Sequence, residues 1–205
     1  MCLQVDSDHY YKNYDTKGRF CSYWYQIHEV VSLNPRSILE IGVGNRFFSD
    51  YVKKVGFDVS TLDIDKRLKP DFAGSIWNIP FCNRSFDVVA CYEVLEHLPY
   101  NQFVTALKEL NRVSRKYVVL SIPDAGPTYR IYMHFPKVRE FKQVLPLPWK
   151  SREHSFDGQH YWEIGKRSYP LKRISSDIEK AGFTIKKTYR TFENPYHRFF
   201  VLNKI

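Results

Sequence analysis

Residues Ser37–Gly44 read SILEIGVG, and a run of apolar residues at helical spacing follows them directly. The stretch includes two isoleucines among its apolar residues, as expected of a strand that is buried on both faces. Gly42 and Gly44 then interrupt the strand. Glycine lets the backbone approach a ligand closely, and the amide groups at a helix N-terminus attract negative charge. The stretch therefore predicts a strand, a glycine turn and a helix that form a pocket for a nucleotide-like ligand.

A second predicted strand, Asp58–Ile64, carries Asp63 near its end, nineteen residues after Gly44. A carboxylate at this position accepts hydrogen bonds from both hydroxyl groups of a ribose. The two strands are typical of a dinucleotide site and equally of a site for S-adenosylmethionine. Residues farther along the chain decide between these two ligands.

Strands and helices alternate along most of the chain, which is typical of a doubly wound α/β sheet. A helix after the second strand is nearly absent, because Lys66–Pro70 is short and ends in proline. Helices are predicted from about Thr16 to Asn34 and over Asn45–Val55, Gln102–Val113 and Leu171–Lys180. Strands are predicted over Ser37–Ile41, Asp58–Ile64, Phe72–Ala73, Phe86–Cys91, Tyr117–Ile122, Thr184–Thr191 and Arg198–Asn203.

The segment Ser85–Leu98 reads SFDVVACYEVLEHL and comes shortly after Ile79-Pro80-Phe81. Together with LEIGVG and TLDID, these motifs resemble the class I S-adenosylmethionine-dependent methyltransferases of the UbiE/type 11 group. The resemblance extends from about Ser37 to the C-terminus. It implies an α/β, Rossmann-like, seven-stranded doubly wound sheet with an antiparallel last strand and an N-terminal helix. It also implies S-adenosyl-L-methionine as the cofactor and methyl transfer to an oxygen or nitrogen atom of a small-molecule acceptor.

Residues 124–169 interrupt the alternation with a long segment rich in proline, aromatic and basic residues. A segment of this length inside a compact domain is usually functional. The family inserts its acceptor-binding cap at this place, so we expect residues 124–169 to form a substrate cap. Residues 1–34 are expected to form an N-terminal arm and helix. We expect one methyltransferase domain that spans residues 1–205.

The resemblance also assigns the contacts with the cofactor. The glycines would approach the methionine part, the acid that ends the second strand would bind the ribose, and the residue after it would pack on adenine. The assigned residues are Glu40, Gly42, Gly44, Arg46, Asp63, Ile64, Ser75, Ile76, Cys91 and Tyr92.

Two of these positions depart from the family pattern. Ser75 stands where relatives often have an acid, which puts the contact with the adenine amino group in question. Arg46 stands where many relatives have a third glycine. Its side chain could obstruct the usual path of the chain, or it could pair with the methionine carboxylate. A non-catalytic protein that only binds S-adenosylmethionine is therefore one alternative.

Three histidines are candidates for a general base that removes a proton from the acceptor: His160, His97 and His154. His160 is the first choice, because Glu163 lies three residues later and could orient the ring on a helical turn. The alternative is that His160 packs or binds substrate. Methyl transfer also need not use a base, since the sulfonium is already activated and alignment supplies most of the rate.

Glu93, Glu96 and His97 form an E-x-x-E-H motif after the fourth strand. Carboxylates together with an imidazole suit a divalent metal ion. The same motif also occurs in relatives that bind no metal, where it lies at the start of a helix. We therefore expect no metal ion.

The net charge of +9 is unevenly distributed, because residues 124–205 carry 16 Lys and Arg against 8 Asp and Glu. This excess could attract an anionic acceptor, such as a phosphorylated metabolite, an acidic lipid or RNA. A basic surface that only confers solubility explains the charge equally well. A methyltransferase of RNA or protein is therefore a second alternative, although no separate RNA-binding module is recognisable.

The four cysteines show neither metal-binding nor redox spacing, which favours a reduced, cytoplasmic compartment. The N-terminus has no basic-then-apolar signal. There is also no run of about 18 apolar residues, so we expect no membrane-spanning segment.

Overall fold

The structure is a computed structural model that describes Tyr10 and residues 14–137, 140–148 and 151–205. Most of the predicted N-terminal arm (1–9 and 11–13) lies outside the described residues, as do residues 138, 139, 149 and 150 of the predicted cap. The helices are α1 Lys17–Val31, α2 Phe47–Lys54, α3 Phe103–Val113 and α4 Leu171–Lys180. The strands are β1 Ser37–Ile41, β2 Asp58–Asp63, β3 Phe72–Ala73, β4 Phe86–Tyr92, β5 Ser114–Pro123, β6 Thr128–Met133, β7 Phe141–Pro146, β8 Phe183–Arg190 and β9 His197–Lys204.

Seven strands form one sheet in the order β3-β2-β1-β4-β5-β9-β8. Strands β1 to β5 pair in parallel, whereas β9 runs antiparallel between β5 and β8. The predicted Rossmann-like sheet with an antiparallel last strand is confirmed. The strand order reverses between β1 and β4, and in open α/β sheets a crevice for ligands lies at such a reversal, outside the carboxyl ends of the strands.

Helices cover both faces of this sheet. Side chains of α1 and α2, among them Val30, Phe48 and Val52, belong to one apolar cluster. Side chains of α3 and α4 belong to the other cluster. Because both faces are covered, β1 and β4 are buried over nearly their whole length, as their continuous apolar sequence predicts. No helix within the described residues combines the length and apolar character needed to cross a membrane.

The first half of the predicted cap is a regular hairpin, whose two strands are not among those predicted from the sequence. Strands β6 and β7 pair antiparallel from Thr128↔Pro146 to Met133↔Phe141. No described residue of either strand is buried. Neither face of the hairpin packs on a core. Tyr129, Ile131 and Met133 alternate in β6 as in a strand, but the prolines and basic residues of the segment favour a loop.

The second half of the cap is anchored in the core of the domain. Trp162 is fully buried in the cluster that contains α3 and α4, and its Nε1 donates a hydrogen bond to the Leu98 carbonyl at 3.0 Å. At the start of the cap, the Asp124 carboxylate forms ion pairs with Arg190 at 3.2 Å and Arg198 at 2.7 Å. The cap is therefore fixed at its start and near its end.

Excision of residues 128–146 should leave the domain folded. The two ends of the hairpin already meet, because the Leu147 amide donates to the Pro127 carbonyl at 2.9 Å. A variant in which a short glycine linker replaces these residues is expected to keep the free energy of unfolding and the affinity for S-adenosylhomocysteine. Denaturant titration and calorimetry measure the two quantities.

Trp162→Phe serves as the contrasting change in the same cap. It should lower the free energy of unfolding by about 2 kcal/mol, because it removes buried volume and the hydrogen bond to Leu98. A hairpin excision that destabilises the domain more than Trp162→Phe would contradict the view that the hairpin is independent of the core.

Candidate active site

A cavity of about 600 Å³ lies at the carboxyl ends of β1, β2 and β4. This volume is within the range of small-molecule sites. One end is lined by the loops after β1 to β3, at Gly42, Gly44, Asp63, Ile64, Asp65, Leu68, Ser75, Ile76 and Trp77. The other end is lined by the segment after β4, by the cap and by the connection between β8 and β9. Its residues are Glu93, Glu96, His97, Phe156, Gln159, His160, Tyr161 and Tyr196.

The turn after β1 requires glycine at its first position. Gly42 has a φ of +79°, and a Cβ atom there would lie 2.3 Å from Cγ2 of Val94. The Gly42 amide donates to the Leu62 carbonyl at 2.9 Å. The turn is therefore held against β2 on one side and against the segment after β4 on the other.

Asp63 connects the two loops that border the first end of the cavity. Its Oδ2 accepts a hydrogen bond from the Val43 amide, and its Oδ1 accepts one from the Asp65 amide, both at 2.8 Å. Burial raises the pKa of this carboxyl group more than the two amides lower it. The carboxylate is thus a fixed acceptor that lines the cavity.

Seven of the ten predicted cofactor residues line the cavity: Gly42, Gly44, Asp63, Ile64, Ser75, Ile76 and Tyr92. Three others do not, namely Glu40, Arg46 and Cys91. Cys91 is fully buried within β4, and burial raises the pKa of its thiol. Glu40 is buried within β1, and burial raises the pKa of its carboxyl group to about 8 although Ser49 and Arg46 lower it.

Arg46 points away from the cavity. Its guanidinium donates to the Lys69 carbonyl and pairs with Asp50 at 3.2 Å, so it ties the start of α2 to the turn after β2. Its φ of +66° is the left-handed conformation that a glycine would adopt easily. Helix α2 consequently begins at Phe47 rather than at the predicted Asn45, whose side chain accepts a hydrogen bond from the Phe47 amide at 3.1 Å.

Three residues before or within α1 also line the cavity: Tyr10, Tyr14 and Arg19. Tyr10 lies 3.6 Å from the position that a Cβ on Gly44 would occupy. Sequence reasoning does not assign these residues to the site. The segment that contains the tyrosines has no apolar periodicity, so nothing in its pattern indicates where it packs.

Two of the three candidate histidines line the cavity, and their ring centroids are 5.1 Å apart. The Nδ1 atom of His97 lies 3.0 Å from the Gln159 carbonyl oxygen. The pKa of His97 is lowered by burial and by the charge of His160. His154 does not line the cavity, and its Nε2 lies 2.8 Å from the backbone carbonyl of His160.

His160 and Glu163 form the pair that their spacing predicts. The Nδ1 atom of His160 lies 3.0 Å from Oε1 of Glu163. Burial lowers the pKa of His160, but Glu163 and Asp157 outweigh it, so the pKa is raised overall. Burial raises the pKa of Glu163, yet hydrogen bonds from His160 and from the Tyr196 hydroxyl bring it to about 2. Glu163 is therefore an ionised acceptor that orients both neighbours.

Two carboxylates from the E-x-x-E-H motif also line the cavity. Glu96 is fully buried, and neither of its carboxylate oxygens has a hydrogen-bond partner among the described residues. Burial, followed by the charge of Glu93, raises the pKa of Glu96 well above its ordinary value. Glu93 has a φ of +53°, and its Oε2 lies 3.6 Å from Nε2 of His197.

Comparison with known proteins relates both the sequence and the fold to methyltransferases. Residues 39–122 match the family model of a methyltransferase domain. No curated protein matches the sequence. One solved structure that shares the fold is a 1,6-didemethyltoxoflavin-N1-methyltransferase from Burkholderia thailandensis, with bound 1,6-didemethyltoxoflavin and S-adenosylhomocysteine. Its sequence is 13% identical to this chain and its TM-score is 0.64, and the match covers 96% of this chain and 84% of that one.

Two further solved structures share the fold. A magnesium protoporphyrin IX methyltransferase from Synechocystis PCC 6803, solved with S-adenosylmethionine, is 16% identical with a TM-score of 0.63, over 98% of this chain and 90% of that one. A glycopeptide N-methyltransferase solved with S-adenosylhomocysteine is 10% identical with a TM-score of 0.60, over 88% of this chain and 89% of that one.

Proposed function

We propose that the chain is an S-adenosylmethionine-dependent methyltransferase of the class I, type 11 kind. We further propose that its acceptor is a small molecule that is methylated on oxygen or nitrogen. The observation that carries the proposal is one continuous cavity of about 600 Å³. This cavity joins the glycine turn and Asp63 at one end to aromatic side chains and imidazoles at the other. The solved relatives that share the fold act on small molecules or a glycopeptide, which agrees with this proposal.

The cofactor occupies the first end of the cavity in this proposal. Gly42 and Gly44 permit the methionine part to approach the backbone, and Asp63 accepts hydrogen bonds from the ribose hydroxyls. Ile64 and Ile76 border the same end and supply apolar surface for the adenine ring. Glu40, Arg46 and Cys91 contribute by supporting the turn and the strands rather than by touching the cofactor.

The acceptor occupies the second end, whose charge does not favour an anion. Arg19 is the one Lys or Arg side chain among the described residues that line the cavity. Two carboxylates, Glu93 and Glu96, line the acceptor end, and two more, Asp63 and Asp65, line the cofactor end. We therefore expect a neutral or cationic acceptor with an aromatic or apolar surface, which Phe156 and Tyr161 would contact.

Seven of the sixteen Lys and Arg residues after residue 123 form ion pairs within the described part of the chain. Arg190 and Arg198 pair with Asp124, and Lys187 pairs with Glu29 at 2.6 Å. Side chains paired in this way are less available to phosphates, which favours a small-molecule acceptor over a polynucleotide.

The transfer joins the acceptor heteroatom to the methyl carbon, breaks the carbon–sulfur bond and releases S-adenosylhomocysteine. A hydroxyl or ammonium acceptor must also lose a proton. We assign the handling of that proton to His97 and His160, because both rings line the acceptor end. His154 acts as a positioning residue, since it contacts the backbone of His160.

His160→Gln is expected to lower turnover by about a hundredfold without changing the affinity for S-adenosylhomocysteine. Glutamine has a similar length but cannot accept a proton or donate an imidazole lone pair. His28→Gln is the matched control, because His28 is exposed on α1 and does not line the cavity. Equal turnover of both variants would remove His160 from the reaction.

Two measurements test the proposed function directly. Calorimetry with S-adenosylhomocysteine should show saturable binding, and transfer of a labelled methyl group should occur to members of a panel of phenols, amines and hydroxylated heterocycles. Transfer to RNA that weakens steeply with salt would instead favour the polynucleotide alternative. Absence of cofactor binding would overturn the proposal.

A further inference from the structure

Glu96, His97 and His160 converge at the acceptor end of the cavity. One carboxylate oxygen and one ring nitrogen from each histidine all lie within 4.8 Å of one another. We propose that these three side chains bind a divalent transition-metal ion, which in turn holds the acceptor heteroatom. The proposal deepens the proposed function and rests on it for the acceptor, but not for the ion itself.

Glu96 supplies the strongest reason to expect a cation. Its side chain is fully buried, and neither carboxylate oxygen has a hydrogen-bond partner among the described residues. A buried carboxylate is normally paired, hydrogen-bonded or bound to a metal ion, because burial of an isolated charge is unfavourable. Glu96 also lines the cavity, so an ion that enters the cavity can reach it.

Both histidines are oriented as metal ligands usually are. The Nδ1 atom of His97 faces a carbonyl oxygen, which can only accept, so this nitrogen carries the hydrogen. The Nδ1 atom of His160 faces the carboxylate of Glu163, which likewise can only accept when ionised. Each ring in its neutral form therefore offers the lone pair of Nε2. A metal-bound histidine almost always donates its other ring nitrogen to a carbonyl or carboxylate in this way.

A second group of side chains around the same ring is less suited to a metal ion. Asp157, His160 and Glu163 also place ligand atoms within 4.8 Å of one another. The Asp157 carboxylate, however, already accepts the amides of Gln159 and His160, at 2.9 and 2.7 Å. Glu163 already accepts from His160 and Tyr196. Only the group with Glu96 has a carboxylate without partners among the described residues.

The donor set indicates the class of metal. Two imidazoles and one carboxylate suit Mn²⁺, Fe²⁺, Co²⁺ or Zn²⁺, whereas Mg²⁺ and Ca²⁺ prefer oxygen ligands alone. Three protein ligands leave positions open for a substrate atom. With the ion bound, both histidines act as ligands and no longer as the base. An acceptor hydroxyl on the metal would have a lowered pKa and would lose its proton to solvent. Its oxygen then attacks the methyl carbon as the carbon–sulfur bond breaks, and the oxidation state of the metal does not change.

The E-x-x-E-H motif alone leads to the opposite expectation, which is that no metal is present. The difference comes from His160, which lies in the cap, 63 residues after His97. The fold brings the third ligand to the motif, and the sequence spacing does not reveal it.

Titration of the chelator-treated, full-length chain with Co²⁺ tests the site, because bound Co²⁺ absorbs visible light. We expect saturable binding of one Co²⁺ per chain, and competition by Zn²⁺. Glu96→Gln and His160→Gln should each weaken Co²⁺ binding by about a hundredfold or more, and Glu163→Gln by about tenfold to a hundredfold through its contact with His160. Glu179→Gln and His28→Gln, both at exposed positions, are matched controls and should bind as the unchanged chain does.

Circular dichroism and calorimetry with S-adenosylhomocysteine show whether each variant is folded. Glu96→Gln keeps the size of the side chain and removes a buried charge, so it should fold at least as well as the unchanged chain. A chain that binds S-adenosylhomocysteine but not Co²⁺, Mn²⁺ or Zn²⁺ would overturn the metal site and leave the methyltransferase proposal intact. Folded variants that bind Co²⁺ as tightly as the controls would overturn it as well.

Discussion

Asp63→Ala is expected to weaken the binding of S-adenosylhomocysteine by about 4 kcal/mol, on the order of a thousandfold. Two effects add in this estimate. The ribose hydroxyls lose a charged acceptor that the proposed binding mode assigns to them. The amides of Val43 and Asp65 lose the acceptor that they contact at 2.8 Å, so the two loops around the cofactor are no longer held together. Calorimetry on the purified variant measures the change.

Asp58→Ala is the matched control for this measurement. Asp58 begins the same strand but is exposed at the opposite end from the cavity, so its removal should leave the affinity unchanged. Asp63→Asn keeps the size of the side chain and one acceptor oxygen, and its affinity should lie between those of Asp63→Ala and the unchanged chain. If Asp63→Ala binds as tightly as Asp58→Ala, Asp63 is not the ribose ligand.

Gly42→Ala is expected to lower the free energy of unfolding by about 4 kcal/mol and to prevent cofactor binding at ordinary concentrations. The new methyl group would lie 2.3 Å from Cγ2 of Val94, so the turn or the segment after β4 must move. The φ of +79° adds a backbone penalty. Denaturant titration gives the stability, and calorimetry with S-adenosylhomocysteine gives the affinity.

Gly56→Ala separates the two causes of this loss. Gly56 also has a positive φ, of +100°, but a Cβ there would meet nothing within 4 Å. Gly56→Ala should therefore cost only the backbone penalty of about 1–2 kcal/mol. In a double-mutant cycle, Val94→Ala should recover part of the loss caused by Gly42→Ala, because it removes the atom that clashes. Additive effects of the two changes would contradict the contact as the cause.

The fold is predictable from the sequence because its strands are buried on both faces. Such strands read as short apolar runs, and glycine or proline marks their ends, so β1 has the predicted bounds and β4 and β5 lie close to theirs. The exposed strand β3 and the helix α4 also have the predicted bounds. The residues at the cofactor end of the cavity are predictable for the same reason. Gly42, Gly44 and Asp63 directly follow or end parallel strands, and the carboxyl ends of parallel strands meet at one edge of the sheet.

The acceptor end is not predictable in the same way, because its residues come from segments without periodicity. The proximity of Glu96 and His160 depends on how the cap returns to the sheet, which no local pattern encodes. The path of the Arg46 side chain is a similar case, since its contact with the Lys69 carbonyl depends on the turn after β2. The β6–β7 hairpin is missed because neither of its faces is buried.

The anchoring of the cap at Asp124 and Trp162 has a consequence for how enzymes of this architecture diversify. Both attachment points lie in the core and are separate from the glycine turn and Asp63. The sequence between them can therefore change in length and composition while the methyl-donor half of the molecule stays intact. Acceptor preference can then drift independently of folding, and exchange of this segment between relatives is a rational way to obtain new specificities.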